Sequence, residues 1–171
     1  FYKNIFSVLV LCGFVILYLI IPYTIFASEE KLVIAHRGAS GYIPEHTLES
    51  SVLAYAMKAD YLELDVVMTS DRHLIIMHDL TLNGTTNVDE IFPNRSGTNG
   101  KHFTMEFSLA EVKRLRVHER SNKRGSGPAF IGRFPYQSSI FEVPTLEEIF
   151  RLVKGLEKSH GRTMGLYIEI K

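Results

Sequence analysis

The chain opens on an apolar run and becomes patterned only afterwards. Residues 4 to 28 carry no charged side chain, and Ile5 to Ile21 is almost all Ile, Leu, Val, Phe and Tyr. A helix crossing a bilayer needs about 20 apolar residues, with a lower limit near 17. The apolar part of a signal peptide is shorter, about 7–15 residues, and is followed by a small residue at the cut. This segment falls between the two, with Ala27-Ser28 as a candidate cleavage position before the switch to Glu29-Glu30-Lys31. Residues 1–28 therefore read as a signal peptide or an uncleaved N-terminal membrane anchor. Either reading sends residue 29 onward across a membrane, to a periplasmic or membrane-anchored, extracytoplasmic location. The absence of an initiator Met, and an end inside the predicted strand Ile168-Glu169-Ile170-Lys171, give the expectation of a piece of a longer protein.

From residue 29 the pattern predicts one α/β domain. Leu32-Val33-Ile34-Ala35 is a continuous apolar run, as for a strand buried on both faces. His36-Arg37-Gly38-Ala39-Ser40-Gly41 follows as a turn-prone loop. Thr47 caps a predicted helix to about Ala59, with Leu48, Val52, Tyr55, Ala56 and Ala59 as its apolar stripe. Tyr61–Met68 and Leu74–Met77 read as strands around a turn at Asp71-Arg72. The short link requires an antiparallel hairpin, because a parallel crossover needs a dozen or more residues. A turn centred near Ser70-Asp71 places His78 opposite Glu63. Residues 80 to 107 read as a polar loop, and Ser121 to Ser139, rich in Gly, Pro and Ser, as a surface insertion, so that an insertion spans about 80–143. Ser108-x-x-Glu111 and Thr145-x-x-Glu148 are capping-box openings of helices, and Gly165 to Ile170 is the last strand.

Composition narrows the function. Lys plus Arg and Asp plus Glu are both 19 in 171 residues, so net charge is zero and no basic field exists for a nucleic acid. Cys12 is the only cysteine, which rules out an intrachain disulfide and a thiolate metal cluster. Any metal must be held by His, Asp or Glu.

The candidate chemistry lies at the predicted strand ends. His36-Arg37 follows the first strand. Glu63 and Asp65 lie two apart in the second, so both side chains leave one face. His78-Asp79 follows the next strand, and Glu169 and Lys171 end the last, again two apart. Acidic groups on the inward face of an apolar strand are costly unless paired or metal-bound. Three converging carboxylates repel one another, and a divalent cation removes that conflict. An all-oxygen donor set favours Ca²⁺ or Mg²⁺ over Zn²⁺. Arg37 and Lys171 add positive charge suited to a phosphate, and His36 and His78 can exchange protons near neutral pH. Singly, each motif is weak: Glu-x-Asp more often marks a solvated face, and His-Asp a surface turn. His46, His73, His102, His118 and His160 read as surface or supporting residues. The order and spacing of the motifs together carry the signal.

Taken together, His36-Arg37-Gly38-Ala39-Ser40-Gly41-Tyr42-Ile43-Pro44-Glu45-His46-Thr47-Leu48, Glu63-Leu64-Asp65-Val66, His78-Asp79 and Ile168-Glu169-Ile170-Lys171 resemble the glycerophosphodiester phosphodiesterases, from about residue 32 to the end. His46, where many members have Asn, and Gly132-Arg133-Phe134-Pro135 resemble the extracytoplasmic bacterial branch. The resemblance implies a TIM barrel with its active site at the C-terminal strand ends, of which this sequence would supply only the N-terminal half. It implies that Glu63, Asp65 and Glu169 hold the metal, commonly calcium, and that His36 and His78 are the acid–base pair. It further implies that Arg37 and Lys171 contact the phosphate of a glycerophosphodiester, with Glu45 supporting the substrate site. One departure is Gly84-Thr85-Thr86, where many members carry Arg-Thr-Thr. Two rival functions stay open: a phosphodiesterase acting on intact phospholipids at the membrane, and a surface binding protein with a vestigial site. Oligomeric state stays open as well.

Overall fold

A computed structural model describes residues 31–122, 127–133 and 139–171. The expectations for residues 1–28 and for Phe134-Pro135 lie outside the described residues. Strands β1 (Ile34–His36), β2 (Tyr61–Met68) and β4 (Gly165–Ile170) run parallel with β2 in the middle. Strand β3 (Leu74–Ile76) pairs antiparallel with the far end of β2. Helix α1 (Leu48–Ala56) links β1 to β2, and α4 (Leu146–His160) leads into β4. Two single-turn helices, α2 (Val88–Ile91) and α3 (Leu109–Val112), lie between β3 and α4.

The three capping signals form as the sequence predicts. Thr47 and Ser50 close a reciprocal box on α1, Ser108 and Glu111 on α3, and Thr145 and Glu148 on α4. Helix α1 stops earlier than predicted, because Lys58 turns left-handed at φ 64°. Its buried face also differs: Val52 and Ala56 are exposed, while Ser50, Ser51, Ala54 and Tyr55 are buried. The two hydroxyls donate back to the Thr47 carbonyl at 2.9 and 3.0 Å, so these serines are buried without an unpaired group.

Strand β2 sorts its side chains by alternation. Leu62, Leu64 and Val66 face α1 and α4 and pack with Ala54, Tyr55, Ile149, Val153 and Met164. The opposite face carries Glu63, Asp65 and Val67. Strand β4 is placed against β2 partly by Arg162, whose guanidinium donates to the Tyr55 and Ala59 carbonyls and lies 3.9 Å from the Tyr55 ring centre. The sequence predicts a first strand buried on both faces; among the described residues β1 pairs with β2 alone and Ile34 is 51% exposed.

Residues 80–107, read from sequence as a polar loop, build a second core. Leu82, Val88, Phe92 and Phe107, with Val112, Leu115, Val117 and Val143, close over Val67, Ile75 and Met77. His102 is buried in it, with Nε2 3.0 Å from the Phe92 carbonyl, and His118 is buried as well. Of the expected surface or supporting placement of His102 and His118, the surface alternative is therefore overturned for both. Each piece of this region is a single turn, too short to display a helical or strand period.

The loop after β1 depends on one glycine. Arg37 and Gly38 are both left-handed, at φ 61° and 80°. A Cβ on Gly38 would lie 2.4 Å from Ser50 Oγ and 3.0 Å from the Ser50 carbonyl carbon. Gly38→Ala is expected to destabilise the fold by about 2–3 kcal/mol, from backbone strain and this clash together. A thermal denaturation midpoint equal to that of the wild type would contradict the expectation.

Candidate active site

The parallel register assembles the predicted groups. His36 lies beside Glu63 across β1 and β2, and Asp65 beside Glu169 across β2 and β4. Laterally paired residues of parallel strands point to the same face, so His36, Glu63, Asp65 and Glu169 share one. One carboxylate oxygen from each of Glu63, Asp65 and Glu169 lies within 4.8 Å of the others.

The hairpin returns His78 to this rim, but not by the predicted register. The turn has three residues, Ser70 to Arg72, closed by the Thr69 N–H to the His73 carbonyl, with Arg72 left-handed at φ 67°. Val66 therefore pairs with Ile76. This carries Leu64, not Glu63, level with His78. The strand ends at Ile76, and beyond it His78 lines a small cavity with Glu45, His46 and Met77. Its Nδ1 lies 2.6 Å from Asp79 Oδ1. The carboxylate can only accept, so Nδ1 carries the proton and Nε2 is left for chemistry. The His36 imidazole is exposed and makes no hydrogen bond among the described residues.

Each carboxylate of the trio is held by a named partner. Glu63 Oε2 accepts from the Arg37 main-chain N–H at 2.8 Å. Asp65, 1% exposed, meets His46 Nε2 at 2.9 Å through Oδ2. Its Oδ1 is buried, with the Lys171 ammonium 2.9 Å away. Lys171 also donates to Glu169 Oε1 at 2.6 Å. His46, which sequence reading left as a surface or supporting residue, is the buried support of Asp65. Its backbone is left-handed at φ 60°, and this turn aims the ring inward.

A second layer of charge lies behind these groups. Arg37 Nη1 donates to Glu45 Oε1 at 3.1 Å, and Arg120 donates to both Glu45 oxygens at 2.6 and 2.9 Å. Arg120 Nη1 also donates to Asp79 Oδ2 at 2.7 Å. Sequence reading missed Arg120, which lies in the aperiodic region far from every motif.

These contacts shift the carboxylates. Burial alone would raise Asp65, but the hydrogen bonds from His46 and Lys171 and the charges of His46 and His78 hold it far below the usual range. Burial is likewise outweighed at Glu45 by Arg120, Arg37 and His46, and at Asp79 by Arg120 and His78, so both are lowered. Glu119 is raised, chiefly by burial and also by the charge of Glu45, against the opposing pull of Arg133. The lowered three contribute stability that is present above the unfolded carboxylate range near pH 4 and is lost as pH falls through their folded values. Glu119 has the opposite sign, contributing below its unfolded value and losing that contribution as pH rises through its raised folded value. The urea midpoint is expected to fall steadily below pH 4, and an unchanged midpoint down to pH 2 would refute the charge network.

The donor set fits a hard divalent cation. Oxygens bound to one Ca²⁺ at about 2.4 Å lie at most about 4.8 Å apart. The sequence profile of the glycerophosphoryl diester phosphodiesterase family matches residues 36–171. The chain belongs to this family. The glycerophosphodiester phosphodiesterase of Haemophilus influenzae is 44% identical over 146 residues, covering 84% of this chain and 40% of that protein. The one from Treponema pallidum is 39% identical, with 84% and 41% covered. The chain thus spans about two fifths of the length of these relatives. A phosphodiesterase structure from Oleispira antarctica, in complex with the product sn-glycerol-3-phosphate, is 30% identical with a TM-score of 0.57. It is matched over 82% of this chain and 44% of its own. The glycerophosphodiester phosphodiesterase structure from Agrobacterium tumefaciens is 30% identical with a TM-score of 0.53, over 82% and 47%. The fold is accordingly α/β, matching part of a glycerophosphodiester phosphodiesterase TIM barrel, with Glu63 and Asp65 level with the C-terminal ends of β1 and β4, the end at which such barrels carry their sites.

Proposed function

We propose that the protein hydrolyses glycerophosphodiesters to glycerol 3-phosphate and an alcohol. The observation that carries this reading is the acidic trio with two imidazoles on the same rim, in a chain of this family. Glu63, Asp65 and Glu169 would hold a divalent cation, Ca²⁺ or alternatively Mg²⁺. When bound, it supplies charge that neutralises phosphate oxygens and the charge developing on them during attack. Arg37 presents the guanidinium N–H groups not taken by Glu45 to the phosphate, and Lys171 adds a second positive charge beside the trio. A carboxylate does not attract a phosphate, so Glu45 acts by orienting Arg37. One of His36 and His78 takes the proton of the attacking hydroxyl, from water or from the neighbouring glycerol hydroxyl. The other gives a proton to the leaving alcohol oxygen. Asp79 holds the His78 tautomer that leaves Nε2 facing the reaction.

Residues 29–171 are read as the catalytic domain with an insertion over about 80–143. Residues 1–28 are read as the signal peptide or anchor that delivers it to an extracytoplasmic compartment. The test is glycerol 3-phosphate release from glycerophosphocholine by the full-length protein, with phosphatidylcholine in parallel. Release that EDTA removes and added Ca²⁺ restores is the expected result. Turnover of phosphatidylcholine alone would favour the phospholipid-directed enzyme. No turnover of either would favour the binding protein.

A further inference from the structure

Arg120 stands between the two loops that carry the proposed acid–base and phosphate groups. Its guanidinium grips Glu45 with two hydrogen bonds, Nε to Oε2 at 2.9 Å and Nη2 to Oε1 at 2.6 Å. The remaining arm, Nη1, reaches Asp79 Oδ2 at 2.7 Å. Each of these carboxylates uses another contact to hold a group of the site. Asp79 Oδ1 accepts from His78 Nδ1 at 2.6 Å, and Glu45 Oε1 accepts from Arg37 Nη1 at 3.1 Å. Arg37 in turn fixes Glu63 through its main-chain N–H. One planar fork therefore spans from the His78 loop to the Arg37 loop, and only arginine has donors placed for this. The fork is largely buried, at 22% side-chain exposure. Residue 84 makes the room: a Cβ on Gly84 would lie 2.8 Å from Asp79 Oδ2 and 3.4 Å from Arg120 Nη1.

We propose that Arg120 is a positioning residue of the hydrolysis, setting the Asp79–His78 pair and the Glu45–Arg37 pair against one phosphate. This rests on the function proposed above. It differs from a role in merely anchoring residues 80–143, which would affect folding and leave the reacting geometry alone. A misplacement of about 1 Å at a reacting group can lower turnover about 100-fold.

The test uses the full-length protein and glycerophosphocholine, with folding followed by thermal denaturation. Arg120→Ala is expected to lower kcat about 10- to 100-fold with KM within about threefold of the wild type. Arg120→Lys keeps the charge but cannot span both carboxylates, and should give an intermediate kcat. Wild-type kcat in Arg120→Ala overturns the proposal, as does a loss expressed in KM alone. A folded Arg120→Ala whose kcat Arg120→Lys does not exceed also overturns it. Should Arg120→Ala fail to fold, Arg120→Lys decides by the same split between kcat and KM. A wild-type protein without turnover identifies failure of the function itself, before any variant is compared, and the proposal falls with it.

Discussion

His78→Ala in the full-length protein is expected to lower kcat for glycerophosphocholine by about 10²- to 10⁴-fold, with little change in KM. The imidazole lies on the rim of the acidic trio, and its Nδ1 is tied to Asp79. On the proposed function, its loss would remove a proton donor or acceptor from the reaction while Arg37 and Lys171 remain to bind the phosphate. His36→Ala should lower kcat over the same range. If the two residues serve one proton circuit, as proposed, the double variant should fall well short of the product of the single losses. Steady-state kinetics of the three variants check this. Turnover near that of the wild type in either single variant would remove that histidine from the reaction.

Asp65→Ala carries the second large effect, on stability and on the cation together. Asp65 is buried against His46, with Arg37 and Lys171 within ion-pair distance. Truncating it leaves His46 without its carboxylate and Arg37 and Lys171 with one anion each, Glu45 and Glu169; breaking a buried pair in this way costs about 3–5 kcal/mol. Ca²⁺ binding to the folded state alone is expected to raise the melting temperature of the wild type, and in Asp65→Ala that rise should vanish. Asp65→Asn retains the shape and a hydrogen bond for His46 but loses the charge. It should recover part of the stability and none of the Ca²⁺-dependent rise. An undiminished rise in Asp65→Asn would take Asp65 out of the cation site.

Several elements were legible because their signals are local. A capping box needs only four residues, and Thr47, Ser108 and Thr145 each form theirs. The alternation of Glu63 and Asp65 against Leu62 and Leu64 follows from the pleat alone. The slip of His78 by one residue shows the limit of such reasoning. The number of residues in the turn depended on Arg72 adopting a left-handed conformation, which no preceding spacing announces. The stripe of α1 failed for a related reason. Ser50 and Ser51 satisfy their hydroxyls on the Thr47 carbonyl, and polar residues so paired can take the buried face.

By itself, the order of residues determined which groups sit at strand ends and which faces they leave by, because both follow from a repeat of two along extended chain. It therefore singled out the residues of the trio and both imidazoles, while the strand register brought Asp65 beside Glu169 and set His78 one residue from its expected level. Only tertiary structure decided what holds them: His46 beneath Asp65, Arg120 between Glu45 and Asp79, and the second core assembled from single turns. Those contacts join residues 19, 41 and 75 positions apart. A pairing across such distances is set by how the whole chain packs, and it leaves no periodic trace in the sequence.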